Sequence, residues 1–130
     1  MCLSAVFPTL PLPKGDPSVA CKDPRVLQNL MDDPLFYSGR LTVRTCYSVL
    51  RLIQHFRSME STLETGYICI QGLADQLVCP KAVQGWHAKC PVKDKTIHVY
   101  PELRHSVLFE PEYEDAQLKV LDWVRSRVIK

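Results

Sequence analysis

Only two stretches of this 130-residue chain read as β-strands, and a helix-length connection separates them. The first, Gly66-Tyr67-Ile68-Cys69-Ile70-Gln71-Gly72, is a short apolar run bounded by glycines. It lacks the alternation of a strand that faces water on one side, so burial on both faces is expected, as in a parallel sheet. The second, residues 96–100, is β-branched and aromatic. Between them Leu73-Ala74-Asp75 reads as a turn, and Pro80 opens a helix to about residue 89. Two strands joined this way form a right-handed parallel βαβ unit. A parallel sheet of two strands is a poor sheet, because parallel sheets have several strands and helices on both faces. The chain has the length of a domain and the strand inventory of a part of one.

The flanking segments are of opposite character. Six of the ten prolines fall in residues 1–34, so this stretch holds neither a long helix nor a central strand. One short helix is expected over residues 25–31, ending before Asp33-Pro34. Residues 1–13 are uncharged but lack a basic start and are broken by Pro8, Pro11 and Pro13, so they read as an extended segment, not a leader. From residue 41 to 58 a long amphipathic helix is expected, with Val43, Cys46, Tyr47, Leu50, Ile53 and Phe56 as its apolar stripe. A last helix is expected to open at Glu110-Pro111-Glu112, with Pro111 at its first position. Acidic residues crowd its first turn and Arg125, Arg127 and Lys130 its last; Tyr113, Val120, Leu121, Val124 and Val128 form its core stripe.

Composition excludes several functions. Lys and Arg outnumber Asp and Glu by 16 to 14, which offers no basic stripe for nucleic acid. The longest apolar run, Tyr67 to Ile70, cannot span a membrane. Cysteines stand at 2, 21, 46, 69, 79 and 90 with no C-x2-C spacing, so neither a zinc site nor a disulfide scaffold is expected. Cys46 and Cys69 read as small buried hydrophobes, Cys79 as a partly buried thiol, and a reducing intracellular setting follows.

In α/β sheets functional groups gather on loops at the carboxyl ends of the strands. Asp75 lies just past the first strand and His105 just past the second, so both loops leave the same edge. An acid followed by a histidine is the end of a Ser–Asp–His triad in chain order, in which the carboxylate holds the imidazole by Nδ1 and Nε2 takes a proton from serine. Taken singly, Asp75 is as readily a turn or helix cap and His105 an exposed loop histidine. His55, His87 and His98 read as surface-helix, surface-helix and strand-face residues.

The stretches Asp33-Pro34-Leu35-Phe36-Tyr37-Ser38-Gly39-Arg40, Gln71-Gly72-Leu73-Ala74-Asp75-Gln76-Leu77-Val78 and Lys93-Asp94-Lys95-Thr96-Ile97-His98-Val99-Tyr100 carry a resemblance, continued by His105, Glu110-Pro111-Glu112 and Asp122-Trp123. In this order and spacing the chain resembles the monoglyceride lipase-like α/β-hydrolases, also described as serine aminopeptidase-like or lysophospholipase-like. The resemblance implies the C-terminal part of an α/β-hydrolase fold: the end of a lid, the last two parallel strands and flanking helices. It divides the chain into a lid-derived proline-rich segment, residues 1–40, and a core part, residues 41–130. It assigns the triad acid to Asp75 and the base to His105, and implies hydrolysis of carboxylic esters such as monoacylglycerols or lysophospholipids, with no metal or organic cofactor.

One departure stands against the match. No Gly-x-Ser-x-Gly occurs at any of the serines, so this chain carries no nucleophile of the family kind and by itself is expected to hydrolyse no ester. The apolar groups of residues 3–12 and 35–37 are expected either to line an acyl pocket or to form an exposed patch. The resemblance leads to a cytoplasmic location with peripheral membrane contact through the lid. The alternative is a non-catalytic interaction protein whose partner covers the exposed sheet edge.

Overall fold

A computed structural model describes residues 3–128, so Cys2 and Lys130 lie outside the described residues. The strands are β1, Tyr67–Gly72, and β2, Lys95–Tyr100, which pair in parallel from Tyr67 opposite Lys95 to Gly72 opposite Tyr100. The helices are α1 (Leu3–Val6), α2 (Pro24–Asp32), α3 (Val43–Ser58), α4 (Pro80–Lys89) and α5 (Tyr113–Val128). The βαβ unit is therefore present, with Pro80 at the start of its crossover helix. Residues Tyr67 to Ile70 are half-buried, less than expected, because the sheet has two strands and each keeps an unpaired edge; only Gln71 and Gly72 are buried.

Chain chemistry sets the helix ends. Asp23 caps α2 by accepting from the Arg25 N–H at 2.8 Å, and Asp33 stops it ahead of Pro34. Thr42 caps α3 through its hydroxyl to the Thr45 N–H at 3.2 Å. The helix starts at Val43 and not at Leu41, because Leu41 and Val43 bond instead to Leu12 and Leu10 of the proline-rich segment. That segment is not wholly extended: Leu3–Val6 form the short helix α1, which packs against α3.

The last helix differs most from expectation. It begins at Tyr113, after a 3-10 turn at Val107–Phe109, because Glu110 has extended backbone and its side chain turns inward. The expected stripe is not the buried one. Val120 is half-buried, Tyr113, Leu121, Val124 and Val128 are exposed, and Ala116 is the α5 residue in the core, where its small side chain meets Leu103 and Val107. Ile70 and Tyr100 pack on this cluster from the two strands. It sits directly beneath the loops that leave the carboxyl ends of β1 and β2.

Candidate active site

Backbone pairing continues beyond the last strand residues. The Leu73 N–H donates to Tyr100 O at 2.8 Å and the Ala74 N–H to Leu103 O at 3.0 Å, which staples the two departing loops together. Gly72 permits this approach without any unusual dihedral: a Cβ there would collide with the carbonyl oxygens of Leu103 and Arg104. The stapled loops carry Asp75 and His105, thirty positions apart in sequence.

Asp75 Oδ2 and His105 Nδ1 are 2.9 Å apart, with the Asp75 side chain 3% exposed and that of His105 42% exposed. The other carboxylate oxygen, Oδ1, accepts from the Leu77 N–H at 2.8 Å and the Val78 N–H at 2.9 Å. Gln71 Nε2 lies 3.4 Å from Oδ2 and donates to Gly72 O at 2.7 Å. Burial pushes the Asp75 carboxyl upward, yet the Val78 N–H, the His105 ring and the Leu77 N–H together outweigh it and hold the carboxyl below its ordinary value. An ionised carboxylate only accepts, so Nδ1 carries the hydrogen in this pair, and Nε2 is the ring nitrogen that Asp75 does not engage. Among the described residues no protein group bonds to Nε2. A cavity of about 330 Å³ lies beside the ring, lined by Ile70, His105, Ser106, Val107, Leu108 and Phe109.

The two candidate residues thus stand in contact, in the orientation a carboxylate–imidazole pair requires. Three other expectations need correction. His87 is half-buried and not a plain surface residue: its Nδ1 lies 3.0 Å from the Tyr67 hydroxyl, and burial, followed by the nearby Lys95 charge, pushes its pKa down. Cys79 is exposed, since its place at the start of α4 leaves it on the surface. Cys46 and Cys69 are half-buried; among the described residues the buried thiols are Cys21 and Cys90. The apolar expectation divides. Phe36 and Tyr37 line a second pocket of about 390 Å³ with Leu30, Met31, Leu41 and Leu77, whereas Leu35 points away and residues 3–12 take no part.

Two site residues escaped the sequence reading. Gln71 reads only as the end of an apolar strand, and Glu110 only as a favourable charge at a helix start. Glu110 is instead fully buried, with Oε1 accepting from the Arg104 N–H at 3.0 Å and Oε2 from the Lys22 N–H at 3.1 Å. The usable signal is the residue after it: Pro111 suits a helix start, which leaves the side chain just ahead free to turn inward. Among the described residues no group of three or more His, Cys, Asp or Glu side chains is placed to hold a metal. Nor is any helix there long and apolar enough to cross a membrane.

Residues 1–112 match the family described as serine aminopeptidase, S33. A caffeoylshikimate esterase from Arabidopsis thaliana is 27% identical over 114 residues, a match covering 85% of this chain and 34% of that protein. A monoacylglycerol lipase from Mycolicibacterium smegmatis is 24% identical over 126 residues, covering 97% and 45% respectively. In three dimensions the chain superposes on the monoacylglycerol lipase of Paleococcus ferrophilus with a TM-score of 0.82 at 24% identity, covering 95% of this chain and 49% of the other. This chain therefore spans a half or less of the length of these relatives, and its two parallel strands with their flanking helices correspond to the C-terminal part of their α/β-hydrolase fold.

Proposed function

The chain belongs to the serine aminopeptidase (S33) family of monoglyceride lipase-like α/β-hydrolases, and from that premise we propose that it supplies the acid and the base of a serine ester hydrolase. In this reading Asp75 orients His105 through Nδ1 and stabilises the imidazolium. His105 Nε2 takes the proton of a serine hydroxyl as its oxygen attacks the ester carbonyl. As the carbon–oxygen bond to the alcohol breaks, the same proton passes to the leaving oxygen, and an acyl-serine remains. Water, deprotonated by His105, then releases the acid and restores the serine. The serine comes from polypeptide outside these 130 residues, since none here lies in a Gly-x-Ser-x-Gly setting. The observation that carries the proposal is the 2.9 Å contact between a buried carboxylate and a partly exposed imidazole at the carboxyl ends of two paired strands.

The substrate class we assign is a carboxylic ester with an apolar acyl group, of the monoacylglycerol or lysophospholipid kind. Two relatives bear the names of an esterase and a monoacylglycerol lipase, and the apolar pocket ending at Leu77, two residues past Asp75, suits an acyl chain. A second reading, an interaction protein without catalysis, draws support from the exposed apolar face of α3 and the unpaired edge of β1.

A chimera separates the two. The matched half of the Paleococcus enzyme is replaced by this chain, and hydrolysis of a nitrophenyl ester is followed. We expect turnover by the chimera, about 10³-fold or more lower in His105→Ala and strongly reduced in Asp75→Asn, and none by this chain alone. A chimera that melts cooperatively and hydrolyses the ester equally well with His105→Ala overturns the assignment. So does turnover by the isolated chain that disappears with His105→Ala, because it would require no outside serine.

A further inference from the structure

The loop that carries His105 is held, besides by Asp75, by the chain's proline-rich segment. The residues before and after the histidine are both tied there. On one side the Arg104 N–H donates to Glu110 Oε1 at 3.0 Å, and the Arg104 guanidinium reaches Ser18 O at 2.6 Å and Cys21 O at 3.4 Å. On the other side the Ser106 N–H donates to Ala20 O at 2.8 Å. Cys21 Sγ donates to Phe109 O at 3.2 Å, and the Lys22 N–H closes the circle on Glu110 Oε2 at 3.1 Å. His105 thus sits at the middle of a bracket whose two arms meet at one carboxyl group.

That carboxyl group is the unusual element. The Glu110 side chain is completely buried, and burying a carboxyl group is unfavourable unless its oxygens are satisfied. Both oxygens are satisfied by backbone N–H groups from segments 82 positions apart, Lys22 and Arg104. An apolar side chain of that size would fill the space but leave two buried donors unpaired. We propose that Glu110 is a positioning residue for His105: by joining the Ser18–Lys22 turn to the His105 loop it fixes where the imidazole stands relative to Asp75. The proposal rests on the reading of His105 as the base.

The test reads the ring itself. Long-range proton–nitrogen NMR on the intact chain distinguishes His105 protonated at Nδ1 from His105 protonated at Nε2. In the wild type the Nδ1–H form should dominate, and Asp75→Asn should lose that bias, setting the level of an unheld ring. Glu110→Gln has one acceptor oxygen for two N–H donors, so it breaks one arm of the bracket; it should lower the Nδ1–H fraction by about twofold or more. Arg104→Ala leaves Glu110 and the backbone N–H in place, removes the guanidinium arm, and should move the signal the same way. Lys22→Ala keeps its backbone N–H and should leave the signal at the wild-type level. A folded Glu110→Gln, with β1 and β2 amides in place, that keeps the wild-type Nδ1–H fraction overturns the proposal. If Glu110→Gln does not fold, Glu110→Asp, which keeps the carboxylate on a side chain too short to meet both N–H groups, decides by the same criterion. An Asp75→Asn chain with unchanged tautomer is a different result, and overturns the acid–base reading instead.

Discussion

The loops beyond the strands and the helix α3 are built on opposite terms. Around Asp75 and His105 each shaping contact comes from within the chain: two backbone staples, a carboxylate with both oxygens engaged, and a buried Glu110 tying in the Ser18–Lys22 turn. Helix α3 has strong apolar faces and little to set them against. Val43 is buried, but Val49, Leu50, Leu52, Ile53 and Phe56 are exposed. Its far end touches α4 through Phe56 on Trp86, whose indole N–H is buried without an acceptor. Polar loops can be complete within half a fold because hydrogen bonds are short-ranged and specific. An apolar face is complete only when something covers it.

The largest effect should come from breaking the complete region at its tightest point. Gly72→Ala places a methyl against two backbone carbonyls that cannot move independently, and we expect a loss of about 3 kcal/mol in urea unfolding. The Asp75–His105 contact should be lost with it. Gly85→Ala is the matched control: a Cβ there meets nothing within 4 Å, and α4 should gain about 0.5–1 kcal/mol. Equal effects at the two positions would mean that the staple beneath Asp75 is not a tight approach.

This asymmetry also explains what could be read from the sequence. The βαβ unit and the exit of the Asp75 and His105 loops from one edge depend on local patterns, such as a glycine-bounded apolar run and a proline at a helix start, while the choice of these two residues as a pair comes with the family resemblance. Those patterns survive in a partial fold. Which stripe of α3 or α5 is buried depends on what lies across from it. Of the stripes chosen by spacing, Val43 is buried and Cys46, Tyr47 and Val120 are half-buried, while Leu50, Ile53 and Phe56 on α3 and Tyr113, Leu121, Val124 and Val128 on α5 are exposed for that reason. Glu110 was illegible for another: a glutamate beside a helix start looks like a surface charge, and its two partners are one neighbouring backbone N–H and one from the far end of the chain.

A smaller effect should appear in acid. The folded-state carboxyl of Asp75 titrates below its ordinary 3.8, so the unfolded chain binds its proton first as pH falls. The stability it contributes is complete above pH 3.8 and is lost as pH falls through the lower folded value. Urea unfolding from about pH 5 to about pH 2.5 should show a slope of at most ~1.4 kcal/mol per pH unit from this group. Asp75→Asn should flatten that part of the profile. An unchanged profile would mean that the N–H donors of Leu77 and Val78 do not favour the ionised form as their geometry implies.

The smallest effect belongs to α3, and its smallness is the informative part. Leu52 is 66% exposed at the centre of the face formed with Val49, Ile53 and Phe56. Leu52→Ala removes apolar atoms that are already mostly in water, and alanine is the better helix former. The expected change in unfolding free energy is therefore within about 0.5 kcal/mol. A buried leucine replaced by alanine would lose about 2–5 kcal/mol. A loss in that range would show that the face is covered in solution, and the two sources of cover behave differently. Cover by a second copy would make the loss grow with protein concentration, because association stabilises only the folded chain. Cover by the chain itself would leave it independent of concentration, and α3 would then be as complete as the loops around His105.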